Sequence, residues 1–158
     1  MSTRSFIAKQ IGKDAYLTVY CHSDGYLTYN GALLLGCYNT PEQVDELLKL
    51  GDLSYLAESL HPNPDYPHSF DYGERQQGVT VAYGRDRGDK DVAARKMTMA
   101  QLDDPNNWTA YVYISLRRKT SGSISRRDIP VKDCAMLRRT WRLHTAHTGS
   151  DGRMAITA

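Results

Sequence analysis

The chain has 158 residues, with Lys+Arg 20 against Asp+Glu 18 and a net charge of +2, a size suited to one domain with a tail. Leu, Ile, Val and Phe number 15, 6, 7 and 2, near the floor for a packed core, while 11 tyrosines add apolar area carrying a polar tip. With no run near the ~20 apolar residues of a membrane span, this composition excludes a membrane helix, a collagen, a coiled coil and a disulfide scaffold.

In chain order, Ser5–Ile11 and Ala15–Cys21 are rich in β-branched or aromatic residues and flank Gly12-Lys13-Asp14, which predicts a hairpin. In the second strand Tyr16, Thr18 and Tyr20 share one face, and Leu17, Val19 and Cys21 the other. A loop at His22–Gly25 precedes a helix expected over about Tyr29–Tyr38, where Ala32 to Leu35 are strong formers. Thr40-Pro41-Glu42-Gln43 predicts a capped helix start, with Val44, Leu47 and Leu48 on one face and Gly51 in the left-handed position past its end. A short helix is expected over about Asp52–Ser59, with Leu53 and Leu56 inward. Residues 61–77 carry Pro62, Pro64 and Pro67 and read as one long loop. Gly78–Tyr83 and Trp108–Ile114 alternate and read as strands. No internal repeat is visible.

The composition changes near Leu116. Residues 1–116 hold 10 Lys+Arg and 15 Asp+Glu, a net of −5; residues 117–158 hold 10 and 3, a net of +7. All the tyrosines and both phenylalanines lie in the first part, which therefore supplies the core. The expected architecture is α+β: an antiparallel sheet of about four strands with two or three short helices on one face, spanning 1–116, followed by a basic tail over 117–158.

Three segments carry candidate chemistry. His22-Ser23-Asp24-Gly25-Tyr26 follows a strand, so its imidazole and carboxylate can act as an acid/base pair or as part of a ligand site. The plainer reading is a turn in which Asp24 bonds the backbone and Gly25 takes positive φ. Tyr83-Gly84-Arg85-Asp86-Arg87-Gly88-Asp89 offers two guanidiniums that can hold a phosphate or carboxylate; the plainer reading pairs Asp86 and Asp89 with the neighbouring arginines. It is neither a phosphate-binding loop of the GxxxxGK[ST] type nor a dinucleotide fingerprint. In the tail, Arg117-Arg118-Lys119, Arg126-Arg127 and Arg138-Arg139 with Trp141-Arg142 suit phosphate contacts and base stacking, set against a plain solvated tail. His144, His147 and Cys134 are too few and too scattered for a metal site, and no cofactor is implied. Cys21, Cys37 and Cys134 are odd in number without CxxC spacing, and Met1–Lys9 has no apolar run, so a cytoplasmic protein without a secretory leader is expected.

The opening Met1–Ile7 (MSTRSFI), Tyr20–Tyr26 (YCHSDGY), Leu48–Leu56 (LKLGDLSYL) and Tyr83–Asp89 (YGRDRGD) resemble a family of small phage and prophage proteins with no assigned reaction. The likeness covers about residues 1–114. It implies a mobile-element origin and, after the last strand, an acidic and aromatic ending in place of the basic run from Arg117. Two function classes follow. One is a non-enzymatic binding protein acting against a host defence system, with His22, Asp24, Tyr26, Arg85, Asp86 and Arg87 at one end of the sheet. Its partner would be a host protein or nucleoprotein such as a CRISPR complex, or a phosphate-bearing signal nucleotide. Nucleic acid contact would fall to the tail, and self-association stays open. The other class is a phosphate-directed hydrolase or nuclease using His22 and Asp24.

Overall fold

The computed structural model describes residues 2–116 and 141–144, the last four as backbone. Strand β1 (Ser5–Gly12) turns through Lys13-Asp14 into β2 (Ala15–Cys21), pairing antiparallel from Ser5 opposite Cys21 to Gly12 opposite Ala15, with a bulge near the turn. A π turn (Leu27–Gly31) runs into α1 (Ala32–Cys37). Helix α2 (Pro41–Lys49) opens on the expected reciprocal cap: Thr40 Oγ1 accepts from the Gln43 amide and Gln43 Oε1 from the Thr40 amide, which satisfies two orphan donors. Gly51 follows at φ 75° with its Cα hydrogen against Val92.

Asp52–Ser59 is not the expected helix. Leu53–Tyr55 forms β3, seated between Cys21 of β2 and Ala82 of β4 (Val81–Ala82). Asp52 fixes it there by accepting from the Tyr20 amide at 2.7 Å and from Arg95 at 2.9 Å, so tertiary pairing overrides the local helix preference of Leu and Ala. Leu53 and Leu56 still point inward. Tyr83, expected to end a strand, instead opens a short helix, α3 (Tyr83–Arg87); β5 (Arg95–Met97) and α4 (Met99–Leu102) follow. Strand β6 covers Tyr111–Ser115 rather than starting at Trp108, because Pro105 opens a turn capped by Asp104 and leaves Trp108 exposed at φ 55°.

The sheet order is β4-β3-β2-β1-β6-β7, with β7 at Trp141–His144 and β5 on the other half of the β2 edge. It is a mixed sheet, not the antiparallel one expected: β1 with β6 and β2 with β3 run parallel. Side-chain alternation specifies which face a residue takes but not the direction of its neighbouring strand, and a parallel partner needs a long crossover. Both faces are covered. Ile7, Val19, Cys21 and Tyr113 pack against Leu34, Val44, Leu47 and Leu48 of α1 and α2, whereas Phe6, Ala8, Tyr16, Val112 and Ile114 pack against Leu102 of α4. The expected division of β2 into two faces holds; the expected confinement of helices to one face does not. Of the basic tail, only the backbone of Trp141–His144 falls in the described part, as a strand antiparallel to β6. The clusters at 117–119, 126–127 and 138–139, with Cys134 and His147, lie outside the described residues.

Candidate functional site

Beyond Cys21 the chain continues beside β3: the His22 amide donates to Leu53 O and the Ser23 amide to Ser54 O, each at 3.0 Å. The His22 ring is held at both nitrogens, Nδ1 at 2.9 Å from the Tyr20 hydroxyl and Nε2 at 3.1 Å from that of Ser2, and it stands edge-on to the Tyr20 ring. Asp24 supplies the positive φ (56°) expected of Gly25, a conformation Asp tolerates. Gly25 is needed for closeness instead: a Cβ there would lie 2.8 Å from Ser5 Cβ and 2.9 Å from Thr3 O. Its amide donates to Thr3 O and its carbonyl accepts from the buried Tyr113 hydroxyl at 2.9 Å. Asp24 pairs with Tyr26 rather than with His22; partial desolvation and then the Asp24 charge and hydrogen bond raise the Tyr26 phenol. Cys21, beside this loop, is fully buried, and burial pushes its thiol up to about 11, which keeps it protonated and inert.

The arginine segment is committed internally. Arg85 donates from Nε and Nη2 to the two oxygens of Asp86, from Nη2 to Thr80 O at 2.6 Å and from Nη1 to Leu60 O. Asp86, its side chain 3% exposed, also accepts from the Ala82 amide at 2.8 Å and lies 3.4 Å from His68 Nε2. Burial alone would raise its carboxyl; hydrogen bonds from Arg85 and Ala82, with the Arg85 and His68 charges, outweigh that and hold it below the ordinary value. Arg87 forks onto Asp89 and lies over the rings of Phe70 and Tyr83, at 4.7 and 4.5 Å.

Strand β3 stands between the two segments. Because β2 and β3 run parallel, His22–Asp24 lie at its Tyr55 end; β4 runs antiparallel, so Tyr83 leaves at its Asp52 end, its amide donating to Asp52 O. Among the described residues no hydrogen bond or ion pair joins His22, Asp24 or Tyr26 to Arg85, Asp86 or Arg87. Asp24 lines one surface groove and Arg85 another.

The Asp24 groove, about 640 Å³ and open, is walled by Tyr29, Ser54, Tyr55, Tyr72, Arg75 and Gln76. The proline-rich loop forms its far wall. Gln76 knits that loop, its Nε2 donating to Asn63 O and Tyr66 O at 2.9 Å and its Oε1 accepting from the Asn63 amide at 2.7 Å. Arg75 donates from Nε to Phe70 O at 2.7 Å and packs 5.1 Å from the Phe70 ring, 5.7 Å from Tyr72 and 5.8 Å from Tyr55. Burial, then the charges of Asp24 and Glu58, raise the Tyr29 phenol. Sequence reasoning missed Tyr29, Tyr55, Tyr72, Arg75 and Gln76. One signal was present: Arg75 is the only Lys or Arg between Lys49 and Arg85, in a stretch holding Tyr55, Tyr66, Phe70 and Tyr72.

Among the described residues no three His, Cys, Asp or Glu side chains are placed to hold a metal ion, and no helix is long and apolar enough to cross a membrane. Comparison with protein families, curated proteins and solved structures found no match to this chain.

Proposed function

We propose that the protein is a non-enzymatic binding protein whose contact surface is the tyrosine-walled groove at the Tyr55 end of β3. In the mobile-element setting that the sequence resemblance implies, the target is a component of a host defence system, a protein or nucleoprotein. The observation that carries this reading is the contrast between the two segments. Arg85 and Arg87 are engaged by the chain's own acceptors, whereas the groove turns aromatic area outward, with Tyr72 88% exposed. Exposed tyrosines give large contact area at small entropic cost. His22, held by two hydroxyls and not joined to Asp24, gives the hydrolase reading no such support.

The test is capture from host lysate by the full chain, read by mass spectrometry. A partner lost about tenfold in Tyr72→Ala and retained in Arg87→Ala is the expected outcome. Equal capture by both variants, or phosphoester turnover that vanishes in a folded His22→Ala variant, overturns it.

A further inference from the structure

We infer that the Asp24 groove receives a basic side chain, a guanidinium or ammonium presented by a protein partner, rather than a phosphate; this rests on the groove being the contact surface. Two carboxylates attend it. Asp24 lines it, and Glu58 Oε2 stands over the lining residue Gly78, 3.3 Å from where a Cβ there would lie. Among the described residues neither is in an ion pair, although Asp45, Asp52, Asp86 and Asp89 each hold a Lys or Arg. The groove's own cation, Arg75, is tied to Phe70 O and laid against three rings, so it is fixed in place as part of the wall. The fixed charge is thus two negative against one positive. The remaining wall is the rings of Tyr29, Tyr55 and Tyr72 among uncharged Ser and Gln side chains; Arg75 already lies against Tyr55 and Tyr72, so Tyr29 is the ring left to attract an incoming cation. A flat donor fork such as guanidinium can meet a carboxylate and lie on a Tyr ring at once; an oligophosphate would meet a net negative surface.

The discriminating experiment titrates the full chain with a hexa-arginine peptide, with hexa-glutamate and ATP as opposite-charge probes, following Tyr ring signals by NMR. Hexa-arginine should bind and shift the Tyr29 and Tyr72 rings. Its affinity should fall about tenfold in the paired variant Asp24→Asn, Glu58→Gln and stay unchanged in Glu42→Gln, Glu46→Gln, which removes two carboxylates from α2. Asn accepts the left-handed backbone of position 24 and Glu58 is exposed, so the paired variant keeps the fold. Equal losses in both paired variants would reduce the effect to bulk charge and overturn the inference. So would binding of ATP or hexa-glutamate at these rings, or a dimer abolished by the groove variant while free peptide fails to bind. Lysate capture that needs Tyr72 but ignores Asp24 and Glu58 would overturn this inference alone; capture indifferent to Tyr72 would remove the reading beneath it.

Discussion

Five N–H groups in a rigid plane make a guanidinium hard to satisfy from one direction, and Arg85 meets acceptors on Asp86, Leu60 and Thr80 together. Removing it leaves the nearly buried Asp86 facing only His68 and the Ala82 amide, and frees two carbonyls. Arg85→Ala should therefore destabilise by about 2–3 kcal/mol in urea unfolding, discounted from the full buried-pair value because Arg85 is partly exposed. Arg87→Ala, on the more exposed pair with Asp89, should shift the midpoint less. The Asp86 carboxyl lies below its ordinary value of 3.8, so its contribution is complete above that pH and drains as pH falls through the folded-state value. Acid unfolding of wild type should carry this term and Asp86→Asn should lack it; equal acid profiles would refute the assignment. The sequence did present Arg-Asp-Arg as a candidate anion site alongside the plainer reading of paired neighbours. Composition cannot distinguish these, because the deciding acceptors, Leu60 O and Thr80 O, are backbone atoms carried there by the fold.

Among the elements, those with local signals were legible. The Gly12–Asp14 hairpin and the Thr40/Gln43 cap follow from residues a few positions apart, and both stand where expected. Thr98 and Gln101 form the same reciprocal cap on α4 and could have been found by the same pattern. Strand β3 could not, since three residues acquire strand geometry only from flanking Cys21 and Ala82. The loop after β2 shows how an element is set by contact as well as by torsion. Gly25→Ala keeps an allowed backbone but drives a methyl into Ser5 and the Arg4 backbone. It should cost about 1–3 kcal/mol and loosen the stitch between Gly25 and Thr3, seen as faster exchange of the Gly25 amide. A neutral substitution would mean that the N-terminal strand gives way freely.

Across the whole molecule, β1 is paired along both edges, with β2 on one side and β6, about a hundred positions on, beside it in parallel. Alternation in the sequence yielded the two faces of this sheet, but strand order and direction depend on closing long loops, which no local pattern records. Hydrogen exchange should show the slowest amides at Phe6–Ala8 and Val112–Ile114, with 61–77 exchanging first except where Gln76 holds it. Protection peaking in α2 instead would place the stable centre elsewhere. The tethering by Arg85 also bears on relatedness. A pattern search keyed on the Arg-Asp-Arg triplet would gather chains that share an anchored backbone, not a common ligand. Ligand preference would be written in the handful of aromatic and acidic positions around the separate Asp24 groove, so such proteins could exchange targets while their scaffold stood still.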